Sequence, residues 1–123
     1  LPGKNPGRWP FAVDYCHCTD CKKLTGSLFG LWLDLKQEQF KWLSQNPKLY
    51  SSSEKIIRGF CENCGSLISY EHKDHPEFIS LSHGTLENPN LVKPTYHIYC
   101  KNIPSWFEIR DKLKRFREGQ IPD

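Results

Sequence analysis

The chain has 123 residues, 37% of them apolar and 13% aromatic, with 17 Lys and Arg against 14 Asp and Glu. That length supports one domain with a single modest core, and the aromatic share excludes a disordered chain. No run of 18 apolar residues occurs, so no membrane-spanning helix is expected.

The opening LPGKNPGRWP is too polar and too rich in Pro and Gly to be expected to act as a signal peptide. No methionine occurs, and translation starts with one, so the chain is expected to be trimmed or incomplete at Leu1. FAVDYCHC (residues 11–18) then reads as a strand running into a cysteine turn. TDCKKLTG (19–26) predicts about two turns of helix, with Thr19 as N-cap and Gly26 as the stop. SLFGLWLDL (27–35) is strand-like. QFKWLS (39–44) and KLYSSS (48–53) predict two strands around the turn QNPK. EKIIRGFC (54–61) leads into CENCG and SLISYEH (66–72) leads out, a hairpin tipped by a cysteine knuckle. EFISLSHG (77–84) and TYHIYC (95–100) give two further strands. The fold class is therefore mainly β with short helices. No repeat, low-complexity segment or dividing linker is present, so residues 1–123 are expected to be one domain.

The terminal stretch RDKLKRFRE (110–118) holds five basic and two acidic residues, which matches the whole formal excess of +3. The rest of the chain is balanced, whereas a nucleic-acid binder carries a basic face on the domain itself. Nucleic acid is thus not expected as a partner, and this stretch reads as a solvated terminal segment.

Cys16, Cys18 and Cys21 form a C-x-C-x-x-C cluster, and Cys61 and Cys64 form a C-x-x-C followed by Gly65. Cys16 and Cys18 lie on one face of an extended segment about 7 Å apart, so a bridge between them would be strained. Metal spacing explains the cysteines better than disulfides, and zinc is the metal expected. In a knuckle such as Cys61–Gly65, two thiolates converge while backbone N–H groups point at sulfur, and glycine permits the positive φ that ends the turn. Five cysteines exceed the four ligands of one tetrahedral zinc. Either one is spare, or there are two metal positions and one lacks ligands within the chain.

Cys100 reads as a small buried hydrophobe. His17 alternates away from Cys16 and Cys18 on an extended chain. His72 and His75 flank a polar turn and are expected in solvent. His83 and His97 read as structural, with His97 the better candidate for a contact to substrate or to a metal ligand. The acidic residues look scattered, with no catalytic carboxylate pair, and neither a phosphate loop nor a serine elbow occurs.

The ordered series CHCTDCKKLTGS, KLYSSSEKIIRGFCENCGSLISY, ISLSHGTLENPN and PTYHIYCKNIPSWFEI resembles the glutathione-dependent formaldehyde-activating enzyme family, which includes the centromere protein V-type proteins. The resemblance covers about residues 10–118. It implies a β-tent of antiparallel sheets around zinc, and an activity that joins glutathione to formaldehyde to give S-hydroxymethylglutathione. By motif, Cys16, Cys18 and Cys21 match the three-cysteine zinc site of the active centre. Cys61 and Cys64 match half of a separate four-cysteine structural site. The other half belongs to a C-x-C-G strand near the family's N-terminus that is expected to be missing here. Residues outside the chain would then complete the site, or Cys61 or Cys64 would join the metal of the first three. An exposed sheet edge is expected where that strand is missing.

Three thiolates suit the implied chemistry. Zinc with three protein ligands keeps a fourth position for water or substrate. A thiol there loses its proton well below its usual pKa of about 8.5. The thiolate can then attack the formaldehyde carbon, or leave it in the reverse direction. Lys22 and Lys23, directly after the cluster, can attract glutathione carboxylates, with His97 as a further candidate contact.

The leading expectation is a zinc-dependent carbon–sulfur lyase or synthase acting on glutathione or a related thiol adduct in a reducing, cytoplasmic compartment. The alternative is a zinc-stabilised β domain that binds protein or nucleic acid without catalysis. A site with three cysteine ligands favours the first and a closed site with four the second.

Overall fold

The computed structural model describes residue 10 and residues 12–119; the readings of the opening segment and of Phe11 fall outside them. Among the described residues, eight strands form one sheet: β1 (Ala12–Cys16), β2 (Gly30–Lys36), β3 (Lys48–Ser51), β4 (Ile56–Phe60), β5 (Leu67–His72), β6 (Phe78–Ser82), β7 (Tyr96–Ile98) and β8 (Lys114–Arg115). Their order across the sheet is β3-β4-β5-β6-β2-β1-β7-β8. One helix, α1 (Thr19–Thr25), follows β1. The fold is mainly β, as the alternating apolar runs predict. The expected antiparallel pairing gives way at one edge, where β7 runs parallel to both β1 and β8. Those partners are distant in sequence, and a long connection leaves the strand direction free.

Alternation along the strands separates two faces. Val13, Leu33, Leu35 and Ile79 point to one and form an apolar core, with Phe40, Leu81, Leu86 and Val92 packed against it. Leu33 and Leu35 are almost fully enclosed, each contributing about 1.5–3 kcal/mol of burial. The other face is polar and aromatic. There the register sets Arg58 beside Tyr70, Tyr70 beside Ser80, Ser80 beside Asp34, and Asp14 between Trp32 and Tyr96.

Several local expectations change. Cys18, not Thr19, is the N-cap of α1, while Gly26 ends the helix in the left-handed conformation as predicted. No strand forms at 39–44; residues 37–39 make a 3-10 turn instead. The side chain of Gln39 accepts the backbone N–H of Lys36 at 2.9 Å, which turns the chain as it leaves β2, and Phe40 drops into the core. The segment 95–100 leaves the sheet after Ile98, because Tyr99 adopts φ +56° and Cys100 opens a 3-10 turn. Cys100 is consequently half-buried rather than enclosed. The basic C-terminal stretch is not simply a solvated tail: Lys114 and Arg115 pair with β7, and Phe116 packs edge-on against Tyr96 at 6.0 Å between centroids.

Candidate functional site

Cys16 is the last residue of β1, Cys18 the N-cap of α1, and Cys21 lies in the helix's first turn. An N-cap side chain accepts the backbone N–H two or three residues on, and here the Cys18 Sγ accepts the Cys21 N–H at 3.3 Å. The capping geometry therefore draws the C-x-x-C pair together, and the end of β1 adds Cys16. All three sulfurs lie within 4.8 Å of one another. Close packing helps: a Cβ on Gly30 would stand 2.6 Å from Nε1 of Trp32 and 3.3 Å from Cβ of Cys21, so α1 and the indole approach β2 over a residue without a side chain.

Cys16 and Cys21 are buried and Cys18 is half-buried, with Trp32, Tyr70 and Tyr99 packed around them. The thiols share protons unevenly. Hydrogen bonds from Cys16 and then Cys21 pull Cys18 down to about 2. The bond to Cys18, reinforced by burial, drives Cys16 far up. For Cys21 the bond from Cys16 acts downward, but the bond to Cys18 and burial outweigh it, and it rises to about 11. Soft sulfurs this close that compete for protons form a donor set suited to a thiophilic metal ion such as zinc. The cluster can hold one, and all six cysteines are free of disulfides.

The cluster borders a cavity of about 640 Å³ on the polar face of the sheet, a size typical of small-molecule sites. Six neighbouring strands, β4 to β7 across the sheet order, contribute to its wall. Strands about 4.8 Å apart can surround one cavity only if the sheet curves. Trp32, Tyr96 and Ile98 supply apolar wall, and Asp14, Asp34 and Arg58 supply charge. Burial, with the Asp34 charge second, holds the Asp14 carboxyl well above the usual range. Burial raises Asp34 to about 6 against the bond donated by the Ser80 hydroxyl. Burial likewise raises Tyr70 to about 12. Arg58 is only 4% exposed; its guanidinium carbon lies 4.8 Å from the Tyr70 ring centroid and 5.8 Å from that of Trp32.

The other residues singled out from sequence lie elsewhere. His97 is paired with Tyr15 in the sheet and stacks on its ring at 4.5 Å, so it faces away from Cys16 and the cavity. Its Nδ1 meets His17 Nε2 at 2.9 Å and its Nε2 meets Asp111 Oδ2 at 2.9 Å. Burial, then the neighbouring His97, depresses His17 to about 4 and keeps it neutral at physiological pH. The Lys22 ammonium donates to the Asn102 carbonyl at 2.7 Å, pinning α1 to the turn after β7, and Lys23 is exposed. Neither lysine lines the cavity, nor does His97. His72 and His75, expected in solvent, are half-buried and line it.

Cys61 and Cys64 occupy the tip between β4 and β5, apart from the three-cysteine cluster. The tip is a knuckle: the Gly65 N–H donates to the Cys61 carbonyl at 2.7 Å, and Gly65 has φ +79°. The backbone N–H groups of Cys64 and Asn63, then the Cys64 thiol, lower the pKa of Cys61. No third Cys, His or carboxylate ligand gathers with this pair among the described residues.

Asp14, Asp34, Arg58 and Tyr70 escaped the sequence reading, which took the acids as scattered. The usable signal was phase. In AVDYC and GLWLDLK the acid breaks an apolar run, and in IIRGF a cation does.

Fold and site together define a mainly β protein whose three-cysteine cluster, at the edge of a cavity, can hold a metal ion. The model of the glutathione-dependent formaldehyde-activating enzyme family matches residues 4–102, and the chain belongs to that family. No curated protein matches it. No described helix is long and apolar enough to cross a membrane.

Proposed function

We propose that the protein is a zinc-dependent carbon–sulfur lyase or synthase that interconverts glutathione plus formaldehyde with S-hydroxymethylglutathione. The observation that carries this reading is the juxtaposition of three sulfurs within 4.8 Å with a cavity large enough for a small peptide thiol. Cys16, Cys18 and Cys21 are the proposed zinc ligands. A zinc ion held by these thiolates would supply a Lewis acid that favours the thiolate form of a substrate thiol.

In the synthetic direction the ligand sulfur loses its proton and bonds to the formaldehyde carbon. The carbonyl π pair moves to oxygen, which takes up a proton, so the step is neutral overall. The reverse breaks the same carbon–sulfur bond. Trp32, Tyr96 and Ile98 present apolar surface to the cavity, which limits water around the adduct. Cys61 and Cys64 are proposed ligands of a second, structural metal position, completed by residues other than those described. Free thiols throughout suit a reducing, cytoplasmic compartment.

Exchange NMR with ¹³C-formaldehyde and glutathione tests the activity. The zinc-loaded protein should accelerate interconversion with S-hydroxymethylglutathione, and Cys16→Ser should abolish the acceleration. Exchange at the uncatalysed rate with fully zinc-loaded protein would overturn the proposal.

A further inference from the structure

We infer that Arg58 is the carboxylate anchor of the cavity, holding the ionised end of the ligand whose sulfur reaches Cys16, Cys18 and Cys21. The inference rests on the reading of the cavity as a thiol site and adds which group fixes the rest of the molecule.

Arg58 carries a permanent charge and donors in a rigid fork, and only 4% of the residue is exposed. Its Nε and Nη1 are buried without a hydrogen-bond partner. Buried charges are normally paired, because an unpaired one forfeits its hydration with nothing in return. Asp14 and Asp34 line the same cavity but neither makes an ion pair with Arg58, and the Asp34 carboxylate accepts from Ser80.

What Arg58 does contact is aromatic. Tyr70, its direct neighbour on β5, and Trp32, on β2, meet the guanidinium. Ring faces hold a cation in place without consuming its N–H donors. The side chain is thus oriented and left able to donate, a preorganised receptor for a planar anion. Arg58 lines the same cavity as Cys16, Cys18 and Cys21, so cation and cluster face one ligand space. A ligand that satisfies both ends carries a thiol and a carboxylate on one molecule. Lys22 and Lys23, the cations suggested by sequence, lie outside the cavity.

The experiment is calorimetric titration of the zinc-loaded protein with S-methylglutathione and with its diester, in which the carboxylates are capped. The wild type should bind the acid at least tenfold more tightly than the diester. Arg58→Gln should weaken binding of the acid at least tenfold and treat acid and diester alike. Arg58→Lys keeps the charge but not the fork, so it should retain part of the preference. Arg58→Gln gives up the contacts of the guanidinium with Tyr70 and Trp32, so a lower melting temperature is expected whatever its role. The preference for acid over diester is the readout that a purely structural role would not move. Equal affinity of wild type and Arg58→Gln for the acid, or no preference for acid over diester in the wild type, overturns the inference. If Arg58→Gln fails to fold, loss of all acid preference in Arg58→Lys overturns it. S-methylglutathione has no thiol, so these titrations are independent of thiolate delivery, whose failure shows separately as an unchanged cobalt spectrum with glutathione.

Discussion

The sulfur of Cys18 accepts the backbone N–H of Cys21 at 3.3 Å, so one atom both caps α1 and belongs to the thiol cluster. Helix start and the proposed metal ligation thereby share one piece of structure, and a substitution there separates the two roles.

Cys18→Ser keeps an acceptor at the N-cap but removes a soft ligand, whereas Cys18→Ala removes both. In metal-free protein the alanine variant should be less stable than the serine variant by about 1 kcal/mol, read by urea denaturation. Both should hold less zinc than the wild type, and chelation of the wild type should lower its melting temperature. Equal stabilities of the two metal-free variants would remove the cap from the picture.

Cys61 and Cys64 lie at the tip of the β4–β5 hairpin. Replacing both with serine should lower the melting temperature and reduce bound zinc, while the three-cysteine cluster keeps its own. Zinc analysis alongside thermal melting decides this. Unchanged values in both would show that the pair has no metal role.

The Asp34 carboxyl, raised to about 6 by burial despite the bond from Ser80, makes stability depend on pH. Its folded pKa lies above the ordinary carboxylate value of about 3.9, so the folded state binds the proton more tightly than the unfolded chain. The associated stability is complete below about pH 4 and is lost as pH rises through about 6. Asp34→Asn cannot ionise and should be more stable than the wild type at pH 8, by about 3 kcal/mol, with no advantage at pH 4. Denaturation curves of both proteins at the two pH values measure it. A gain of the same size at both would assign the effect to something other than ionisation.

The cysteine spacing made the cluster legible in the sequence, because C-x-C-x-x-C constrains sulfur positions over six residues of chain. Strand alternation likewise made the β character and the apolar face readable, as in Val13, Leu33 and Leu35. The cavity was not legible, since its wall is assembled by register between strands far apart in sequence. Arg58 meets Tyr70 across one pair and Trp32 only through the curvature of the sheet. His97 shows the converse. It read as structural by its apolar strand, with a substrate or ligand contact as the lesser possibility, and pairing opposite Tyr15 turns it to the other face, where it meets His17 and Asp111. The failed strand at 39–44 has a local cause in the Gln39 side chain bonding back to Lys36, a competition that residue type alone does not reveal.

The most direct test of the central claim, that a ligand thiol enters the coordination of Cys16, Cys18 and Cys21, is the visible spectrum of the cobalt-substituted protein titrated with glutathione. Glutathione should shift the cobalt bands, and the S-methylated form, which cannot supply a thiolate, should shift them less or not at all. The same spectrum with both compounds would contradict thiolate delivery at this cluster.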